Sequence, residues 1–263
     1  MTGRALHDAL LRALTSAELR GRLGAADDGR LGARLGPEEA AVLRAADRDR
    51  LDRLARFMAR HFYRERIVRL FAASRRLARR HGTDPLGLLE TPAFGALLES
   101  AEVGSAATAE AVAVLVEGAL QAPLGGLPYA RDLLAYEGAL FRAEAGPRRW
   151  GDAAPEGGVP VRSPRARICG LAWDTTGLVA AVRRGDAELP EPARVPTRLL
   201  VALAPSGRVT TVRCSEAVEQ LLDALNGARS TAEVAAVVGI GEAEAMRVVR
   251  QLVEVGAVEW RRP

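Results

Sequence analysis

Few residues of this 263-residue chain have the type and spacing that chemistry requires: three histidines, two cysteines, one glycine pair and a short run of aspartates. A protein-bound zinc or iron needs three or four donors converging on it, so histidine ligands usually come a helical turn apart or beside a C-x-x-C pair. His7, His61 and His81 fall in neither H-x-x-x-H nor H-E-x-x-H spacing, no cysteine is near them, and Arg60, Arg64 and Arg66 around His61 oppose a cation. Cys169 and Cys214 stand 45 positions apart in or beside apolar, β-forming runs, and read as small buried side chains rather than a redox pair. Gly239-Ile240-Gly241-Glu242 opens like a dinucleotide loop, but the third glycine is missing and the preceding stretch is helical. Asp47 and Asp49 do not share a helix face with each other, and with Asp52 they suit the electrostatics of a helix start better than a metal site. No P-loop or nucleophile elbow occurs. The chain by itself is expected to be no enzyme and to hold no metal or cofactor.

The informative elements lie near the C-terminus. Arg198–Ala204 and Arg208–Arg213 are short aliphatic and β-branched runs joined by Pro205-Ser206-Gly207, which predicts a hairpin. Ser215 caps a helix with Val218, Leu221, Leu222 and Leu225 on one face, ended by Asn226-Gly227. Ser230 and Glu233 form a capping box for a second helix stopping near Gly239. A third runs from Glu242 to Val255, and Ala257–Trp260 closes the unit. With Arg167–Trp173 as a further strand and a helix over Thr175–Arg184, residues 166–263 are expected to form a small winged-helix-like α/β domain.

The stretch from Cys214 to Trp260 resembles the peptide chaperone of pyrroloquinoline quinone biosynthesis and the wider class of precursor-peptide recognition elements. The matching pieces are Asn226-Gly227-Ala228-Arg229-Ser230, Thr231 to Ala235, and Leu252 to Val258, about a quarter of the chain. The resemblance implies binding of a ribosomally made leader peptide. If Arg198–Ala204 is central, Arg208–Arg213 is a sheet edge able to accept an extended peptide. The peptide-binding residues are then Arg208, Val209, Thr210, Thr211, Val212 and Arg213, with Met246, Val249, Arg250 and Val253 lining the groove from the third helix. Alternation places Val209 and Thr211 on one face and Thr210 and Val212 on the other, one set packed and one exposed.

The alternative reading is a winged-helix regulator that binds DNA or RNA. Between Ser215 and Trp260 eight acids face three arginines, and a net charge of −5 repels phosphates. The basic pI near 9.8 comes from elsewhere: all 37 cations are arginines, and Arg48–Arg80 alone carries +9. The stretch from about Asp47 to Arg80 is expected to be one long amphipathic helix with a phase change near His61–Arg66, its arginines on the face opposite the core. No apolar run approaches the roughly 20 residues needed to span a bilayer, and Met1–Leu14 lacks a signal-peptide core, so a cytoplasmic protein is expected.

The first 145 residues read as an all-α domain of six or seven helices, including Ala5–Leu14, a second ending by Gly24, a start at Pro37-Glu38-Glu39, and Pro92–Glu99, Ala106–Leu120 and Pro128–Ala143. Ala25–Gly36 reads as a loop, and residues 146–165 as a linker with neither helix nor strand. Leu127 to Glu137, LPYARDLLAYE, resembles a helix of the accessory subunits that partner multinuclear non-haem iron-dependent oxidative enzymes, although Gly138 stands where the family has tryptophan. Those subunits also join a helical domain to a peptide-recognition-like domain. The resemblance implies a heterodimer in which Tyr129, Asp132, Tyr136 and Glu137 dock the enzyme, with the iron held by the enzyme.

Overall fold

A computed structural model describes residues 3–23, 41, 45, 47–146 and 158–261. The loop expected at Ala25–Gly36 and the helix start at Pro37 fall outside these. The molecule mixes helices with two small antiparallel sheets.

In chain order, α1 spans Gly3–Thr15 and α2 Ala17–Leu23, where the Leu19 N–H bonds Ser16 Oγ at 3.2 Å. Asp47 caps α3, Arg48–Leu70, by accepting from the Arg50 N–H, and α4 follows over Ala72–Arg79. The break therefore lies at Phe71, not at His61–Arg66. Phe71 is completely buried with φ −100° and ψ 34°, outside helical geometry, so the backbone turns where a ring enters the core. A 3₁₀ turn, Pro85–Glu90, precedes α5, Pro92–Ser100. Helix α6, Ala106–Leu124, is long and apolar enough by length and composition to cross a membrane, which the sequence reading overlooks; here Val112, Val116, Leu120 and Leu124 on its buried face belong to the core.

Helix α7, Ala130–Ala145, is the strut of the molecule. One side packs on α3, α4 and α6, and the other on a three-stranded sheet of β2 (Arg167–Leu171), β3 (Thr197–Leu203) and β4 (Val209–Arg213), in the order β2-β3-β4. A single core unites Tyr63, Phe71, Phe94, Leu133 and Phe141 with Cys169, Leu171, Leu199 and Val201 of the sheet. The covalent linker thus joins two parts that share one apolar interior. Helix α8, Thr176–Arg184, packs on α4 and ends at Gly185, whose φ of 82° suits a residue without Cβ.

The other face of the sheet carries Leu200 and Ala202 into a smaller core with α9 (Glu216–Ala224), α10 (Thr231–Val238) and α11 (Glu242–Glu254). The Ser230–Glu233 capping box forms as its residue types require. The segment read as a pure linker contains a strand, β1 (Val159–Arg162), which pairs with β5 (Val258–Arg261). Its partner lies about a hundred residues away, and Pro160 hides the strand signal because proline is tolerated only at such edges.

Candidate functional site

Pairing fixes what the edge of β4 offers. Ala204 N–H donates to the Arg208 carbonyl at 2.9 Å and Cys214 N–H to the Arg198 carbonyl at 3.0 Å, with Ala202 opposite Thr210 and Leu200 opposite Val212. In an antiparallel ladder bonded pairs alternate, so Thr210 and Val212 spend their amides on β3. Val209, Thr211 and Arg213 point their N–H and C=O groups away from the sheet, where no further strand among the described residues pairs with them. Three outward donors and three outward acceptors therefore run along this edge.

The side chains of β4 divide between the two faces. Val209 packs at the margin of the large core, Thr211 Oγ1 accepts from Tyr136 Oη at 3.3 Å, and Arg213 pairs with Asp174 at 2.5 Å. On the opposite face Thr210 Oγ1 donates to the Val255 carbonyl at 3.0 Å, tying the strand to the end of α11. Val212 beside it is 38% exposed. Neither face is bare, contrary to the expectation of one packed and one exposed set; the open apolar surface is reduced to Val212 and its surroundings.

On α11, Met246 and Val253 are half-buried and Arg250 is exposed. Val249 is fully buried in the smaller core, in one cluster with Leu222 and Val234, and cannot line a groove. Arg208 and Arg250 form no ion pair among the described residues, which leaves two cations flanking the edge.

The helix expected to dock a partner is mostly interior. Tyr136 is 5% exposed and Glu137 wholly buried, so neither can meet another protein. The Glu137 carboxylate accepts from the Ala73 N–H at 2.8 Å and the Ser74 N–H at 3.0 Å, satisfying two orphan donors at the start of α4. Burial pushes its pKa up to about 7, opposed by those bonds and by the more distant Arg183. Asp132 does the same for the chain after β2, accepting from the N–H groups of Ala172 and Trp173 at 2.8 and 2.7 Å. Tyr129, half-buried, meets Trp173 edge-on with ring centroids 6.3 Å apart. Asp132, Tyr129 and Tyr136 clamp the helical part to the sheet, and Glu137 ties α7 to α4. Asp174, Tyr136 and the Val255 carbonyl steady β4 from 39, 75 and 45 residues away, and no local pattern announces them.

Gly138, where the resembled family has tryptophan, has its own reason. A Cβ there would lie 1.9 Å from Glu117 Oε1 and 2.5 Å from Arg142 Nη1, so the glycine admits the Arg142–Glu117 pair against the helix. Among the described residues no three His, Cys, Asp or Glu side chains gather in a group able to hold a metal. Cys169 is buried beneath α7, and burial pushes its thiol up to about 11, which suppresses the thiolate. No protein-family model matches the chain, and no curated protein matches its sequence.

Proposed function

We propose that the chain is a non-catalytic partner protein whose C-terminal part holds the leader of a ribosomally made precursor peptide and presents it to a multinuclear non-haem iron-dependent oxidative enzyme. In this reading residues 166–263 form a winged-helix-like recognition element, residues 1–145 a partner-docking helical domain, and residues 146–165 the connection. The iron belongs to the enzyme, and the setting is cytoplasmic. The enzyme's identity rests on sequence resemblance. The observation that carries the peptide-binding half is the free edge of β4, with outward N–H and C=O groups at Val209, Thr211 and Arg213 beside half-open apolar side chains. An extended peptide adding there gains main-chain bonds along the strand and sets alternate side chains against Val212, Met246 and Val253.

The test is calorimetric titration with synthetic leader segments of whatever short precursor peptides the neighbouring genes encode. Thr211→Pro removes an outward donor and leaves the β3 ladder whole, so it should weaken leader binding by roughly 1–3 kcal/mol. Thr211→Val, which keeps the N–H and loses only the hydroxyl, should bind as the parent does. Equal affinity in a folded Thr211→Pro variant would place the peptide elsewhere and end the recognition-element reading. Thr210→Pro is a poorer probe, because Thr210 spends its N–H on the ladder and its hydroxyl on Val255.

A further inference from the structure

Helix α3 carries a surface that the other described residues do not cover. Leu51, Ala55, Ala59, Tyr63 and Ile67 bury one side of the helix. About 180° away, at about 100° per residue, stand Arg50, Arg53, Leu54, Phe57, Arg64 and Val68, all exposed. Phe57 is 67% exposed, the most exposed of the large apolar side chains described. Aromatic and aliphatic side chains on the solvent side of a helix, in line over about four turns, mark an interaction face.

The neighbouring arginines show what is distinctive here. Further along, Arg66 lies 3.4 Å over the Phe62 ring, Arg69 pairs with Glu144, Arg75 binds Asp84 at 2.9 Å, and Arg76 donates to the Asp186 carbonyl at 2.7 Å. Arg50, Arg53 and Arg64 have no such partner among the described residues. Three cations without an acidic partner among the described residues thus interleave with three exposed apolar side chains on one strip.

From this we infer that the outer face of α3 docks an acidic amphipathic helix of a partner protein, its apolar ridge meeting Leu54, Phe57 and Val68 and its carboxylates meeting Arg50, Arg53 and Arg64. A second copy of this chain fits poorly, since facing strips would oppose arginine to arginine. A bilayer fits poorly as well: Arg50 is seven and eighteen residues from Phe57 and Val68, close to whole turns, so a cation lies in the middle of the ridge instead of flanking it. The inference deepens the partner-docking half of the reading above and is independent of leader binding at β4; it replaces the buried Tyr136 and Glu137 as the docking surface.

The experiment uses the full chain and a fluorescent designed helix of about 20 residues, leucines at helical spacing flanked by glutamates, with a twin carrying lysine for each glutamate. Saturable binding of the glutamate helix, weakened about tenfold or more by Phe57→Glu and by Arg53→Glu and absent for the lysine twin, is the expected result. Both side chains are exposed, so the melting temperature should stay that of the parent. Equal binding of the twins, no binding of either, unchanged affinity in Phe57→Glu, or tighter retention on phosphatidylglycerol vesicles than on the glutamate helix would each overturn the assignment. Leader titration of the same variants should be unaltered, so failure here and failure of the peptide-binding reading are read separately.

Discussion

The two faces of the β2-β3-β4 sheet are built from similar aliphatic residues but meet different surroundings. Toward the helical part, Leu199 and Val201 join Tyr63, Phe71, Phe94 and Phe141, all fully buried, and Asp132 and Tyr136 add polar clamps across the junction. Toward the C-terminal helices, Leu200 and Ala202 meet leucines and valines, with Trp260 the lone aromatic at the margin. The first face is closed over Leu199 and Val201, with Arg213 paired to Asp174 at its rim; the second ends at Val212, where the strand edge and α11 leave apolar surface in contact with solvent. One face makes a rigid platform, and the other leaves a place for a ligand to finish the packing.

The sharpest way to break this comparison is to empty the closed face. Phe141→Ala removes a ring packed against Tyr63 and Phe71 and should cost roughly 3–5 kcal/mol in urea unfolding. Because β3 belongs to both cores, the amides of α9 to α11 should lose protection in hydrogen exchange along with those of α7. Loss confined to residues 3–146, with a separate transition for 158–261, would show that the two faces fold independently.

A second effect follows from Glu137. Its folded pKa, near 7, is raised above the ordinary 4.5, so the folded state binds the extra proton between these values. The stabilisation is fully present below pH 4.5 and is lost as pH rises through about 7, by about 1–3 kcal/mol. Glu137→Gln should remove that slope while lowering stability overall, because an amide offers one acceptor to two N–H groups. Chemical denaturation of both proteins from pH 4.5 to 7.5 checks it; parallel curves would mean that the carboxylate stays ionised throughout.

What the residue pattern conveys depends on how far apart partners lie. Ser230 and Glu233 are three residues apart, and their capping box is legible directly. The hairpin and the three following helices are legible for the same reason, each being marked by local turn and cap chemistry. Glu137 is apolar in its surroundings and charged in its type, and only a partner 63 and 64 residues away reveals it as a helix cap. Phe71 ends α3 because the core takes its ring, a tertiary event invisible to a periodicity that runs on through Ala72–Arg79. Val249 reads as apolar at groove spacing, yet it is the tertiary core it shares with Leu222 and Val234 that buries it. The arginines of α3 and α4 are alike in type; acids and carbonyls at Glu144, Asp84 and Asp186 consume some, while Arg50, Arg53 and Arg64 find no such partner among the described residues.

The smallest expected change concerns the open end of the second face. Val212→Thr keeps the β-branched shape and the strand propensity and replaces one methyl by a hydroxyl. At 38% exposure the hydroxyl reaches water in the free protein, so unfolding stability should move by no more than about 0.5 kcal/mol. When a peptide covers the site, the hydroxyl loses that water, and an unpaired buried hydroxyl costs about 1 kcal/mol or more. Leader affinity should therefore fall about fivefold while the fold is untouched, an uncoupling that Val249→Thr cannot show because Val249 is already buried in the free chain. Val249→Thr should instead destabilise the protein and leave the affinity of the remaining folded fraction unchanged. If both substitutions lowered stability equally and neither altered binding, Val212 would be part of a closed core, and the two faces of the sheet would differ in composition alone.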